Sequence, residues 1–342
     1  MADYTVKELE ELRAKGLRWA EIGDLYGVGE DAPRKYLARN QEPELESIEG
    51  LTPADAWPDP QEVLEKATRA FENRKAKQEK RDAQTIAISK GPVGLAFVAD
   101  QHFGSSGADA KRAMEHAKLI ADTPGLYAFI VGDLVDSFVL NKYLKIRHNA
   151  PLGIIEEWAL VKLYLETIAP KLLGILDGNH DHWMEILTGL PVLADVVERI
   201  KGDVLYDAHE IIARIVVGGL EEWMLKMRHD WPGHSQYNPY HGIMKATKFD
   251  RPFHIGVGAH DHRGAMAATF RVSFDAVRIQ TAVAVKCGTY KRFDRYQREQ
   301  GFPLTSPKIA PVVVLHTEPR NVLAFDELEV AADYLNTVYG GE

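Results

Sequence analysis

From Thr85 onward the chain alternates short apolar runs with helix-patterned segments, and this alternation constrains the fold more than any other feature. The runs "VGLAFVAD", "YAFIVGD" and "LLGILDGNHD" are strand-length and bounded by turn residues. Between them lie "DAKRAMEHAKLIAD" and "IIEEWALVKLYLETIA", whose apolar residues recur at helical spacing. Strands separated by helices predict an α/β arrangement. Further on, "EIIARIVVGG", "EEWMLKMRHD", "ATFRVSFDAVRIQTAVAV" and "APVVVLHT" read as strands with fewer helices between them, so the second half is richer in β-structure.

What precedes Thr85 has a different texture. Residues 1–45 carry Leu9, Leu12, Leu17, Ile22, Leu25 and Leu37 at helix-like spacings, with turns at Gly16 and Gly27–Gly29, and read as a small helical domain. Residues 46–84 open with the Pro- and acid-containing "EGLTPADAWPDPQ" and continue with strong helix formers and few apolar anchors: a linker ending in an exposed helix. Residues 85–342 form the third region.

Composition narrows the chemistry. The 342 residues contain one cysteine, Cys287, so an internal disulfide or thiolate metal cage is excluded and any metal must be held by nitrogen and oxygen. Cys287 itself reads as inert core. The polar N-terminal stretch lacks a secretion-signal pattern and no run is long enough to span a bilayer, which points to a cytoplasmic protein with no membrane partner. A net charge of −9 argues against indiscriminate coating of nucleic acid, while leaving room for a local basic groove.

Each strand-like run ends in polar residues able to bind metal or carry protons. Asp100-Gln101-His102 follows the first, Gly132-Asp133-Leu134-Val135-Asp136 the second and Gly178-Asn179-His180-Asp181 the third. His229 closes "WMLKMR", and His260-Asp261-His262 follows "IGVGA". Side chains at the carboxyl ends of strands in α/β sheets converge on one crevice, and residues two apart in extended backbone face the same side. Asp100 with His102, and His260 with His262, are therefore expected to reach a shared pocket holding two metal ions around a bridging carboxylate. Taken singly, each cluster has a plainer reading: Asp136 as a helix N-cap, Gly132 and Gly178 as turn glycines.

The ordered series DQH, GDLVD, GNHD, a lone His and AHDH resembles the calcineurin-like metallophosphoesterase superfamily, whose pattern runs D-x-H, G-D-x-x-D, G-N-H-D/E, H, G-H-x-H. The match spans roughly residues 90–265, with Ala259 standing where the family has Gly. The resemblance implies a four-layer α-β-β-α sandwich, preceded here by the small N-terminal helical domain. It implies that Asp100, His102 and His262 hold one divalent ion, that Asn179, His229 and His260 hold the second, and that Asp133 bridges them. It also implies that a hydroxide shared by the metals attacks the phosphoester while His180 acts as general acid, oriented by Asp136 or Asp181. Nitrogen and oxygen donors suit Mn, Fe, Zn or Ni, with manganese the first expectation. The segment "RHDWPGHSQYNPYHG" also offers His234 and His241, and His229 is preferred because it directly ends a strand-like run.

For the substrate, "GDLVDSF" lacks the arginine of the protein Ser/Thr phosphatase branch. Lys142, Lys145, Arg147, Lys286, Lys291, Arg292, Arg295 and Arg298 could grip a nucleic-acid backbone or form a solvated face; Arg147, Lys291 and Arg292 are the expected substrate contacts. Tyr290, Phe293 and Tyr296 lie among these charges and could stack on bases. The segment "LRAKGLRWAEIGDLYGVGEDAPRKYLAR" resembles a helix-turn-helix, with Ile22 and Leu25 facing in and a recognition helix at Glu30–Ala38, or else forms a protein-association module through which the chain oligomerises. The expectation is a metal-dependent phosphodiesterase acting on DNA as a nuclease. The alternatives are a phosphoesterase of nucleotides or phosphomonoesters, and a DNA-binding regulator with an inactive phosphoesterase domain.

Overall fold

The strand Val93–Val98 is buried along its whole length, as a strand covered on both faces must be. Its alternate residues serve different layers: Leu95 and Phe97 pack toward a second sheet, Ala96 and Val98 toward helices. A computed structural model of the chain describes residues 4–40, 58–82, 84–137, 150–200, 202–219, 221–233, 235, 237–249, 252–263, 266–273, 279–293 and 308–341. It divides into two compact units, Met1–Glu72 and Asn73–Glu342.

In the first unit, α1 (Val6–Ala14), α2 (Trp19–Leu25) and α3 (Asp31–Asn40) pack around Leu9, Ile22 and Leu37. Leu12 and Leu17 are packed against this small core. Leu25 departs from expectation: it is 62% exposed, because Gly23 rather than Leu25 meets the turn, with Val28 N–H bonded to the Gly23 carbonyl. Helix α4 (Pro60–Asp82) follows as a long helix whose Val63, Leu64 and Phe71 are exposed, as the scarcity of apolar anchors predicts.

The second unit contains two six-stranded mixed sheets among its described residues. The strands are β1 (Thr85–Ile88), β2 (Val93–Val98), β3 (Leu126–Val131), β4 (Leu172–Leu176), β5 (Leu205–Asp207), β6 (Ile211–Val217), β7 (Glu221–Met227), β8 (Ile255–Gly258), β9 (Met266–Ser273), β10 (Ile279–Lys286), β11 (Val312–Thr317) and β12 (Arg320–Phe325). One sheet runs β12-β11-β2-β3-β4-β5, the other β1-β6-β7-β8-β10-β9. β2, β3, β4 and β5 pair parallel in that order, so the ends of β2, β3 and β4 lie side by side.

Between the sheets lies a core of Leu95, Phe97, Phe129, Leu176, Ile215, Trp223, Val257, Val285 and their neighbours, in which the rings of Phe97 and Phe129 stack with centroids 5.8 Å apart. Cys287 belongs to this core and is fully buried. On the outer face of the first sheet pack α5 (Ala110–Asp122), α6 (Ile154–Ile168), α8 (Val192–Glu198) and α10 (Leu328–Gly340). Against the second sheet lies α9 (His241–Phe249), through Ile243 with Trp231, Phe253 and Ala284. Each large side chain fully buried in these interfaces contributes about 1.5–3 kcal/mol. The layering is α-β-β-α, as the resemblance implies. Among the described residues no helix is long and apolar enough to cross a membrane.

Candidate metal centre

At the carboxyl ends of β2, β3 and β4, and of β7 and β8 in the facing sheet, the chain leaves regular structure and presents its polar clusters. The backbone does so in an uncommon way. Asp100, His102, Asp133, His260 and His262 all adopt positive φ, of 52, 48, 57, 75 and 55°. Left-handed backbone at a residue other than glycine costs on the order of 1–3 kcal/mol and persists only where surrounding contacts enforce it. Here the enforcement is a run of backbone hydrogen bonds between the loops: Asp100 N–H to Gly132, His102 N–H to Asp133 and Ala259 N–H to His229. The expectation of extended segments is corrected on this point. Asp100 and His102, like His260 and His262, are brought together by left-handed turns rather than by strand alternation.

The donors gather in two groups. In the first, a carboxylate oxygen of Asp100 and ring nitrogens of His102 and His262 lie within 4.8 Å of one another. His102 Nε2 is 3.1 Å from His262 Nε2 and 4.0 Å from Asp100 Oδ1. In the second, Asp133, His229 and His260 gather in the same way. One oxygen belongs to both: Asp133 Oδ2 is 3.2 Å from His229 Nε2 and 3.8 Å from His102 Nε2. Asn179, the first residue of α7 (Asn179–Thr188), has a buried Oδ1 with no hydrogen-bond partner.

Two glycines make this proximity possible by close approach. A Cβ on Gly132 would sit 2.5 Å from Gly178 N and 2.7 Å from His229 Nδ1; one on Gly178 would sit 2.0 Å from Asp133 Oδ1. They are more than turn residues: neither position has room for a side chain.

The unmet hydrogen-bonding capacity fits cations. His229 Nδ1 lies 2.6 Å from the Val131 carbonyl and must donate to it, so in the neutral ring the Nε2 lone pair faces the Asp133 carboxylate. Only a second proton or a cation relieves that opposition. Without a cation the proton is held: burial disfavours the charged ring, yet Asp133 and then Asp100 outweigh it and raise His229 to about 10. His102 behaves oppositely. Burial is its largest influence and lowers it to about 4 despite the Asp136 carboxylate, whose Oδ1 is 3.1 Å from His102 Nδ1. His102 is thus neutral, with Nε2 turned toward His262 Nε2. Asp100 Oδ1 is buried without a hydrogen-bond partner as well. Such orphaned donor atoms are costly in a dry site and natural in a metal site.

Around the donors stand residues that position them. His180 is buried at the start of α7; its Nδ1 lies 2.5 Å from the backbone carbonyl of Asp136, and its N–H donates to Asp133 Oδ1 at 2.9 Å. The expected orientation by a carboxylate is therefore replaced by a carbonyl. The Asp136 carboxylate instead faces His102 Nδ1 and accepts from Lys291 Nζ at 2.9 Å; burial would raise it, but His102 and Lys291 bring it down to about 2. Asp181 accepts from the backbone N–H groups of Gly178, Asp133 and Val135, clamping α7 to the loop after β3. Burial and then Asp133 push its carboxyl up to about 6.

The expected substrate contacts divide. Lys291 is 3% exposed and paired with Asp136, and Tyr290 is fully buried with its hydroxyl 2.8 Å from His116 Nδ1, so neither presents itself to a substrate. Arg292 is half-buried and Phe293 is 75% exposed. Arg147, Lys142, Lys145, Arg295, Tyr296, Arg298 and His234 lie outside the described residues. His241 opens α9 on the surface. Sequence reasoning overlooked one residue. Trp183, one turn after His180, places its ring centroid 4.1 Å from the His180 ring; its place within "GNHDHW" was the available signal. Lys286, expected to grip a backbone or lie on a solvated face, is instead buried: it donates to the Ala259 carbonyl at 2.8 Å and pairs with Asp261, holding the loop that bears His260 and His262.

No protein-family model matches the chain, and no curated protein matches it. Solved structures similar to it include Vps29 of Chaetomium thermophilum, at 12% identity and TM-score 0.32 over 68% of this chain and 96% of that one. Two more are the calcineurin-like phosphoesterase YfkN of Bacillus subtilis (12%, 0.33, 65% and 84%) and the nuclease MPE of Pseudomonas putida (14%, 0.29, 68% and 87%). Likenesses this weak carry no argument about chemistry, which rests on the side chains above. Two facing six-stranded sheets covered by helices, with the ordered donors gathered at their strand ends, are the arrangement that the resemblance of the sequence motifs implies.

Proposed function

We propose that the protein is a two-metal phosphodiesterase and that its substrate is DNA. The observation that carries the first part is the shared oxygen: Asp133 Oδ2 faces a histidine of each donor group. Asp100, His102 and His262 would hold one divalent ion and Asn179, His229 and His260 the other, with Asp133 common to both. When bound, such a pair supplies an activated water and offsets negative charge on the phosphate.

The rest is the work of the chain's own groups. With Nδ1 donating to the Asp136 carbonyl, His180 can hand over a proton only from Nε2, which makes it the candidate acid for the leaving oxygen. Asp181 fixes the turn that carries Asn179 and His180, and Lys291 keeps the Asp136 carboxylate ionised beside His102. DNA as substrate is supported by the indole of Trp183 beside His180, a stacking surface at the candidate acid, and by Arg292 and the exposed ring of Phe293, which directly follow Lys291 in the chain. A second reading, hydrolysis of nucleotides or other small phosphoesters, is favoured by the withdrawal of Lys291 and Lys286 into buried pairs, which removes cations from the substrate-facing surface.

A manganese-supplemented panel running from a bis-nitrophenyl diester to labelled single- and double-stranded oligonucleotides tests both. Cleavage of oligonucleotides is the expected result. Turnover of the diester or of nucleotides alone transfers the assignment to the second reading, and no turnover of any phosphoester contradicts both.

A further inference from the structure

A separate set of donors stands where β4 passes into α7. A carboxylate oxygen of Asp177, a ring nitrogen of His182 and a carboxylate oxygen of Glu185 lie within 4.8 Å of one another. Asp177 directly follows the strand, and His182 and Glu185 are three residues apart on α7 and so share one face of it. Asp177 is 6% exposed, and its Oδ1 is buried with no hydrogen-bond partner, although its Oδ2 accepts from the Tyr206 hydroxyl at 3.0 Å. His182 Nδ1 lies 3.0 Å from Glu185 Oε2, yet it too is buried without a hydrogen bond.

A simple surface pair accounts for His182 with Glu185. It leaves the orphaned Asp177 oxygen unexplained, and a buried acceptor without a donor is destabilising. A cation satisfies all three donors at once. The side chains of His182 and Glu185 are 36% and 39% exposed, which gives an ion a route from solvent. We propose that Asp177, His182 and Glu185 bind a third divalent cation of the borderline class that favours mixed imidazole and carboxylate donors, probed here as Mn2+. The ion clips the end of β4 to the first turns of α7, the turns that carry Asn179 and His180. It is distinct from the paired centre and independent of which phosphoester is cleaved.

Mn2+ bound to the full chain, measured by equilibrium dialysis with elemental analysis, tests this. His182→Ala/Glu185→Gln should bind one equivalent less than wild type, and Asp133→Asn, which disrupts the paired centre, should keep that equivalent. Identical stoichiometry in wild type and the double variant overturns the third site while leaving the paired centre standing; loss of all Mn2+ in Asp133→Asn overturns it too. Should the double variant fail to fold by circular dichroism, Glu185→Gln alone is read the same way, as weakening of one equivalent against no change.

Discussion

Gly178→Ala adds a single methyl group at the point where the β3 loop, the β4 loop and α7 meet. That methyl would lie 2.0 Å from Asp133 Oδ1, 2.2 Å from Asp133 N and 2.7 Å from Asp133 Cγ. None of these is the far end of a flexible chain. Asp133 is buried, its N–H is bonded to Asp181 and its Oδ1 accepts from His180 N–H, so the loops must separate to make room. Overpacking of this kind costs about 1–3 kcal/mol, which in a unit of this size lowers Tm by about 2–12 °C. The greater effect falls on metal binding, since Asp133 is the oxygen common to both donor groups. Gly340→Ala is the control: a methyl there meets nothing within 4 Å. Differential scanning calorimetry and elemental analysis of the two variants, after manganese loading, read both consequences. A Gly178→Ala protein with wild-type Tm and full metal content would refute the reasoning, because it would mean that Asp133 is not confined where the structure puts it.

His180→Ala is expected to keep its metal while kcat falls about 10²–10⁴-fold, most with poor leaving groups; loss of metal instead would make His180 a ligand. Asp133→Asn should lower occupancy of both positions of the paired centre, seen as loss of two equivalents by elemental analysis. Lys291→Met leaves the buried Asp136 carboxylate without its cation, a loss on the order of 3–5 kcal/mol in Tm-based stability, and an unchanged Tm would show that the pair is not isolated from solvent. His116 supplies a pH test away from the metal donors. Burial, partly opposed by Glu329, lowers its pKa, so the folded state resists a proton that the unfolded chain takes up near 6.5. Its contribution to stability is therefore intact above about 6.5 and declines as pH falls below it. His116→Gln should flatten that part of the pH–Tm curve, and an identical curve would contradict the burial argument.

How much of this was legible in the sequence depends on whether a feature is local. The strands β2, β3 and β4 and the donors that end them follow from apolar runs meeting polar clusters, and the parallel order of those strands then sets Asp100, Asp133 and Asn179 side by side. Features set by distant partners were not legible. Lys291 reads as a surface cation until Asp136, far back in the chain, is seen to neutralise it in the interior. Tyr290 reads as a stacking ring until His116 and the α5 layer bury it. Leu25 has helical spacing toward the core, but the turn packs on Gly23 and leaves it outside. The left-handed backbone at Asp100, His102, Asp133, His260 and His262 is only faintly signalled: Asp and His tolerate positive φ better than most residues, but most of them in any chain stay at negative φ, so residue type alone does not single out these five. The choice of Asp136 carbonyl over a carboxylate for His180 depends on ångström-scale placement of the β3 loop, which no spacing rule encodes.

Anomalous diffraction from crystals grown with Mn2+ goes straight to the paired centre. The account predicts one strong peak among Asp100, His102 and His262 and a second among Asn179, His229 and His260, with Asp133 between them. Peaks that avoid these side chains, or an empty map at both places in protein loaded to saturation, would contradict it.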